Sequence, residues 1–486
     1  MPEKVRVRFA PSPTGDPHIG GLWTALFNFI FAKQHGGAFV LRIEDTDRKR
    51  FVEGSVQKML DALRWYGIVP DEGPEQGGLC APYVQSERVE LHRQHALKLV
   101  EKGSAYYCFC SAERLDALRA QQTAAKRAPR YDKHCAGLPK EEAAARVSAG
   151  EPAVVRMNLP VTGQVVLDDL IRGSVTFRYD QLDDSVLLKT DGFPTYHLAN
   201  VVDDHLMDMS HVIRAEEWLP SAPKHLFLYD AFGWTPPKFA HLPLLLGADH
   251  SKLAKRHGAT SALSFRDEGY LPEAMRNFMV LMGWHPKGTE ELLTWEEILS
   301  QFSLGAVNPS GAIFDRTKLD WMNGMYIRKV SSGKLVTLLN NFWHVPDTAA
   351  IDEDWKERAV AAVRDRMKRL CEIDGLINFA FASVWDVEAS SFERKTVVPK
   401  RGNIDGALEA LRWSRMWLDA YMGIWDSGPL KVAMIAAIAD AGRKNVDVLW
   451  PLRVALTLRA ASPDVFDMLA LLGREESLRR IGHFLG

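Results

Sequence analysis

Apolar residues recur along this chain with two different periods. Val5, Val7 and Phe9 alternate with Arg6 and Arg8, the two-residue period of a strand, and Pro11, Pro13, Gly15 and Pro17 then forbid strand or helix from continuing. Beyond this rigid turn Leu22, Leu26, Phe29 and Ile30 return at helical spacing, while Trp23, Phe27 and Phe31 make the opposite side apolar too. The spacing predicts a helix enclosed in a layered α/β domain. Residues 38–43 form an apolar run suited to a central parallel strand, and the run ends in charge at Glu44, Asp45, Asp47 and Arg48. The same sheet is expected to resume over 185–189, turn at 191–194, enter a helix at Tyr196 and return as a strand through Val212 and Ile213 to Arg214.

Between these stretches, residues 87–183 change character, with a polar helical segment around 113–126 and short strand-like pieces near 153–156 and 175–177. They read as an inserted domain. From Leu271 onward the pattern is wholly helical, and from about residue 332 amphipathic helices alternate with short turns to the end. No internal repeat or low-complexity tract interrupts this.

Composition narrows the class. A chain of 486 residues that is 47% hydrophobic is expected to be a soluble protein of several domains. No apolar run has signal length or spans a bilayer, so a cytoplasmic protein is expected. Five cysteines, an odd number in a long chain, make no disulfide framework. A net charge of −2 neither supports nor excludes a nucleic-acid partner, which would need a local basic patch.

Candidate chemistry collects at the strand ends. The turn before Leu22 opens onto a helix N-terminus, where unpaired N–H groups, a positive dipole end and the small Gly20 and Gly21 suit a phosphate, with His18 as an added donor. Arg8 and Glu44 sit at the carboxyl ends of two strands, where open α/β sheets bind ligands. Arg214 directly follows an apolar strand, and a buried guanidinium needs a partner. Tyr196 and Asn200 share a helix face by their spacing of four. Lys252, Lys255 and Arg256 put three cations in five positions on a loop, an arrangement able to neutralise phosphates. Cys108 and Cys110, with Cys135 across a helical excursion, can converge on one ion, and thiolates with a fourth N or O ligand suit tetrahedral Zn²⁺. His134 is one candidate for that fourth ligand.

These residues resemble the class I aminoacyl-tRNA synthetases. His18, Ile19, Gly20 and Gly21 resemble the HIGH signature, with glycine in place of its last residue; Arg8 through Gly15 resembles the glutamyl/glutaminyl branch, as does Arg42 through Asp47. Lys252 and Lys255 stand in register with the lysines of the KMSKS signature, whose two serine positions are Ala254 and Arg256 here. The helical C-terminal half resembles bacterial glutamyl enzymes, because glutaminyl and archaeal-type relatives carry β-barrels there.

The resemblance implies an α/β fold: a Rossmann-like nucleotide-binding domain (1–86 and 184–218) with an inserted acceptor-binding domain (87–183), a stem-contact region (219–331), and two helical anticodon-binding domains (332–378 and 379–486). It implies activation of L-glutamate with ATP and Mg²⁺ and transfer to tRNA(Glu), by a monomer. Glutamate carries one ammonium and two carboxylates, so Glu44 suits the former and Arg8 and Arg214 the latter. By resemblance Ser12, Tyr196 and Asn200 complete that pocket. His18, Gly20, Glu217, Trp218, Leu245, Lys252 and Lys255 match positions around ATP, with His18, Lys252 and Lys255 assisting the chemistry. Some relatives bind zinc through residues matching Cys108, Cys110, Tyr131 and Cys135. Among Arg364, Arg366, Lys368 and Arg369, expected on neighbouring turns of one helix, Arg366 best matches an arginine associated with rejecting glutamine anticodons. The alternatives are a non-discriminating enzyme that also charges tRNA(Gln), a small-molecule nucleotidyltransferase, and an RNA-binding module.

Overall fold

A computed structural model describes residues 4–254, 261–344 and 351–486. The chain divides into two compact units, Met1–Phe265 with Met275–Asp315, and Arg266–Ala274 with Arg316–Gly486.

In the first unit β1 (Arg6–Phe9) runs through the Pro/Gly turn into α1 (Ile19–Gln34) and returns as β2 (Ala38–Leu41), parallel to β1 with Arg6 opposite Ala38 and Phe9 opposite Leu41. The turn is held from both sides: Pro13 and Pro17 are buried, Glu44 N–H donates to Pro11 O, and Val52 N–H donates to Pro13 O. Both faces of α1 are buried, as its apolar circumference predicted, and the Trp23 indole N–H finds Met279 O at 2.8 Å. An amphipathic α2 (Ser55–Trp65) follows.

The inserted stretch contains α3 (Val89–Lys102), β3 (Ala105–Cys108), α4 (Ala112–Ala124), α5 (Lys140–Ser148), β4 (Val154–Met157) and the hairpin β5 (Gln164–Asp169) and β6 (Gly173–Arg178). Then come β7 (Val186–Leu188), α6 (Tyr196–Leu206), β8 (His211–Ala215), α7 (Ala222–Phe232) and β9 (Lys238–Leu242). The return of the parallel sheet over 185–189 does not occur. β7 instead pairs antiparallel with β4 and closes a three-stranded sheet β3-β4-β7, because its buried Leu187 and Leu188 complete the core of Val155, Met157 and Leu159. Parallel pairing resumes one strand later, where β8 and β9 run side by side from His211 opposite Lys238 to Ala215 opposite Leu242. The inserted hairpin joins this sheet, with Asp169 at the end of β5 opposite Phe239.

After β10 (Leu245–Leu246) come α8 (Ala262–Asp267), α9 (Pro272–Gly283), α10 (Trp295–Gln301) and β11 (Ala312–Ile313). The region beyond Leu271 is therefore not wholly helical. Pro309, Ser310 and Gly311 break the helical pattern and release Ala312 and Ile313 to pair in parallel with Leu245 and Leu246.

The second unit is all helix: α11 (Arg316–Lys329), α12 (Ser332–Leu339), α13 (Glu353–Val363), α14 (Ile373–Ile377), α15 (Ala382–Ala389), α16 (Ile404–Ala420), α17 (Ser427–Asp440), α18 (Asn445–Thr457) and α19 (Val465–His483), the last broken at Gly473. One apolar core runs through it, with Leu335, Val360, Ile373, Leu411, Leu452 and Leu469 buried. The four cations expected on one helix are not on one. α13 stops at Val363, residues 364–366 make a single 3₁₀ turn that leaves Arg366 exposed, and the chain is extended at Arg369. Backbone pairing overrides helix propensity here: Leu370 N–H donates to Gly269 O at 2.9 Å, and the Asn323 amide donates to Lys368 O at 2.6 Å.

Candidate active site

The carboxyl ends of β1, β2 and β8 open on one cavity of about 1060 Å³ in the first unit. Arg8, Ser12, Glu44, Tyr196, Asn200 and Arg214 line it, and so do His18, Gly20, Glu217, Trp218, Leu245 and Lys252. Lys255 lies outside the described residues.

His18 is the N-cap of α1. Its Nδ1 accepts from Gly20 N–H at 3.1 Å, which places the ring proton on Nε2, and its carbonyl accepts from Gly21 and Leu22. The N–H groups of Gly20 and Gly21 are thus engaged by His18, contrary to the expectation that they stand unpaired. The dipole end remains, while the imidazole is the group the cap turns outward. A Cβ at residue 20 would sit 3.2 Å from His18 Nδ1, close enough that the ring would have to give by a few tenths of an ångström. The strand-like bridge of His18 to Ser261, with Ala262 N–H on Pro17 O, ties the far end of the basic loop to this turn. At its near end Lys252 bridges Leu246, and its ammonium pairs with Glu217.

The arginines differ sharply. Arg8 is gripped fork to fork by Asp204 at 3.0 and 3.2 Å, and Arg42 reaches the same carboxylate at 2.7 Å and Glu44 at 2.9 Å. Glu44 accepts on Oε1 from Arg42 and Gln85, while the Asn200 amide, oriented as its neighbours demand, donates to Asp204 Oδ2 and accepts from the Arg42 guanidinium, both at 3.2 Å. Burial pushes the Glu44 carboxyl above the usual range against the pull of Arg42; at Asp204 burial pushes up too, but Arg8 and Arg42 outweigh it and the net direction is down. The line continues through Gln85 to Asp203, which Arg88 and His92 hold and whose carboxyl lies at about 2.

Among the described residues Arg214 has no such partner. Its guanidinium, 4% exposed, donates to His241 Nε2 at 3.0 Å, Tyr196 OH at 2.9 Å, His225 Nδ1 at 3.2 Å and Trp218 O at 3.3 Å, and none of these is a carboxylate. The Tyr196 ring packs on Trp218 with centroids 4.3 Å apart. A buried cation surrounded by neutral acceptors at a cavity wall is chemically suited to an anion.

Sequence reasoning missed Asp203 and Asp204. They stand in an otherwise apolar run, after Leu198, Ala199, Val201 and Val202, and two acids on a buried helix need cations. That was the available signal.

Known proteins decide the family. Residues 4–321 match the family described as tRNA synthetases class I (E and Q), catalytic domain, and residues 334–485 match an anticodon binding domain. The chain belongs to the class I tRNA synthetases of the glutamate and glutamine branch. The glutamate–tRNA ligase of Dehalococcoides mccartyi is 44% identical over 99% of this chain and 98% of its own, and that of Pseudomonas paraeruginosa is 43% identical over 98% and 94%. Crystal structures of the Elizabethkingia meningosepticum glutamate tRNA ligase in complex with its amino acid and of the Elizabethkingia anophelis synthetase superpose with TM-scores of 0.87 and 0.88 at 33% and 34% identity, each over 99% of this chain and 99% and 100% of theirs.

Away from the cavity, the synthetase brings Cys108, Cys110 and Cys135 together with all three sulfurs within 4.8 Å. Tyr131 completes the set: its hydroxyl is 3.3 Å from both Cys108 Sγ and Cys110 Sγ, and Cys110 and Cys135 are 3.6 Å apart. Zn–S bonds of about 2.3 Å in a tetrahedron put sulfurs roughly 3.8 Å apart, so the donors fit such an ion. His134 is exposed and outside this cluster. Burial raises the Cys108 thiol, but its hydrogen bond with the Tyr131 hydroxyl, the Cys110 backbone N–H and the Arg156 guanidinium outweigh it and bring the thiol down; burial pushes Cys110 up to about 11. The Arg156 guanidinium lies 4.3 Å over the Tyr131 ring. Among the described residues no helix is long and apolar enough to cross a membrane.

Proposed function

We propose that this synthetase is a glutamate–tRNA ligase: it activates L-glutamate with ATP and transfers the glutamyl group to the terminal ribose of tRNA(Glu). The observation that carries the amino-acid choice is Arg214, a buried guanidinium at the cavity wall whose partners among the described residues are all neutral. A side-chain carboxylate supplies the missing charge, whereas the amide of glutamine does not. Tyr196 shares that pocket, Glu44 takes the ammonium beside Asn200 and Ser12, and Arg8, already neutralised by Asp204, acts as a donor of fixed geometry.

In the first half-reaction an oxygen of the glutamate α-carboxylate attacks the α-phosphorus of ATP, the bond to the β-phosphate breaks, and pyrophosphate leaves. A hydroxyl of the terminal ribose then attacks the activated carbonyl and AMP departs. No covalent bond to the protein is needed, so catalysis is positioning and charge stabilisation. His18 and the α1 terminus face phosphate oxygens, Gly20, Glu217, Trp218 and Leu245 surround adenosine, and Lys252 and Lys255 neutralise the departing pyrophosphate. Mg²⁺ adds charge neutralisation on the phosphates when bound. In the inserted domain Cys108, Cys110, Cys135 and Tyr131 hold a structural Zn²⁺ that plays no part in the chemistry. Arg366 reads the anticodon and disfavours tRNA(Gln); the protein works as a cytoplasmic monomer.

ATP–pyrophosphate exchange with each amino acid, with and without tRNA, tests the reading. Exchange that depends on glutamate and on tRNA supports it; exchange driven by another acid, or none under either condition, overturns it. Charging purified tRNA(Glu) and tRNA(Gln) in parallel tests the tRNA choice, and comparable charging of both removes the role given to Arg366.

A further inference from the structure

The buried guanidinium of Arg214 is held by a line of hydrogen bonds with a direction. A guanidinium can only donate, so His241 Nε2, 3.0 Å from Arg214 Nε, must be the bare ring nitrogen. The His241 proton then sits on Nδ1, where Asp169 accepts it at 2.6 Å. Neither side chain is exposed at all. Asp169 is fixed in turn by backbone donors: Ile171 N–H and Arg172 N–H reach Oδ1 at 3.0 Å each, and His241 N–H reaches the same carboxylate at 3.2 and 3.1 Å. His225 repeats the polarity on the other side, its Nδ1 toward Arg214 at 3.2 Å and its Nε2 toward His197 Nδ1 at 3.3 Å.

From this geometry we infer that Asp169 and His241 are specificity-determining positioning residues: the carboxylate locks the imidazole in the one tautomer that leaves Arg214 aimed at the glutamate side chain without neutralising its charge. This rests on the glutamate reading of Arg214. A carboxylate in the place of His241 would hold the guanidinium as firmly but cancel the charge the substrate needs. The histidine thus acts as an uncharged spacer, placing the negative charge one ring away. The directions of titration agree, since Asp169 is lowered, burial opposed and outweighed by its hydrogen bond to His241, and His241 is lowered by burial. Asp169 arrives on β5, whose only pairing with the catalytic sheet among the described residues is at Asp169 itself, opposite Phe239.

Asp169→Asn keeps the size and reverses one end of the line. Because Ile171 and Arg172 demand an acceptor at Oδ1, the amide N–H faces His241 Nδ1, drives the ring proton to Nε2, and sets two donors against each other at Arg214. In tRNA-dependent exchange the glutamate KM is expected to rise roughly 10- to 100-fold, the range for one lost hydrogen bond to a charged group, with the KM for ATP unchanged. His241→Phe, which leaves the carboxylate and its backbone donors in place, is expected to do the same and serves should the first variant not fold. In an Arg214→Gln background Asp169→Asn is expected to add no further loss in kcat/KM for glutamate. An unchanged glutamate KM in both single variants, a matching rise for ATP, or full additivity with Arg214→Gln overturns the positioning role. If Arg214→Gln itself leaves the glutamate KM unaltered, the glutamate reading fails first and takes the inference with it.

Discussion

Arg8 and Arg214 carry the same charge at the ends of two strands, yet among the described residues only Arg8 has a carboxylate partner. The difference lies in their partners, Asp204 for Arg8 and two neutral imidazoles for Arg214. Replacing Arg214 by Gln removes a bidentate donor and leaves a desolvated substrate carboxylate unmatched, so kcat/KM for glutamate should fall by about 3 to 5 kcal/mol while the KM for ATP stays near normal. Steady-state kinetics at varied glutamate decide it; equal parameters in variant and unaltered protein remove Arg214 from the pocket. Lys252→Ala should slow activation by roughly 10² to 10³, with little change in tRNA affinity, the size for one transition-state contact. A variant altered only in tRNA binding would make the loop an RNA contact instead. These residues were legible because charge at a strand's end is conspicuous in a linear sequence. Asp204, Asp169 and His241 were not, because their roles depend on which buried side chain they meet across the fold.

At the scale of elements, local signals served well where a segment makes its own case. The turn from Pro11 to Pro17 and α1, apolar on both faces, formed as expected because proline and the 3.6-residue period act within a few residues. β7 and the 364–369 segment did not follow the expectation, because strand partners and backbone ties to Gly269 are chosen by distant chain. Gly269 lies at φ +84° and its Cβ would fall 2.6 Å from Leu370 N and 2.7 Å from Cys371 N. Gly269→Ala should therefore cost more than the roughly 1–2 kcal/mol of a left-handed alanine alone, read as a lower urea midpoint. A stability equal to the parent would mean that the 269–370 contact is dispensable. In the inserted domain, protein purified without chelator should carry one zinc per chain and lose it in Cys108→Ser with Cys110→Ser, without loss of ATP binding. Zinc well below one per chain, or full occupancy in that double variant, rules the site out.

For the whole molecule, the histidines that burial lowers among the described residues are unevenly distributed. His95, His197, His205, His211, His225 and His241 all have lowered pKa values with burial as the leading cause, and all lie within Met1–Phe265. His211 is held at about 4, buried against Phe31 with Ser210 Oγ at 2.9 Å from its Nδ1, and His197 at about 3. In the unfolded chain these rings take a proton near pH 6.5. Between about 6.5 and the folded values the unfolded state therefore binds more protons, so stability is complete above pH 6.5 and declines as the pH falls through that window. His211 alone contributes on the order of 3 kcal/mol over it. Most carboxylates remain ionised at pH 5, so mild acid should act on the catalytic half before the anticodon half. Hydrogen exchange at pH 7 and pH 5, corrected for intrinsic rates, should show protection lost first in peptides from Met1–Phe265 and retained in those from Arg316–Gly486. His211→Gln should flatten the decline. Simultaneous opening of both halves, or earlier opening of the helical one, would mean that the buried histidines do not govern the acid limit of the enzyme.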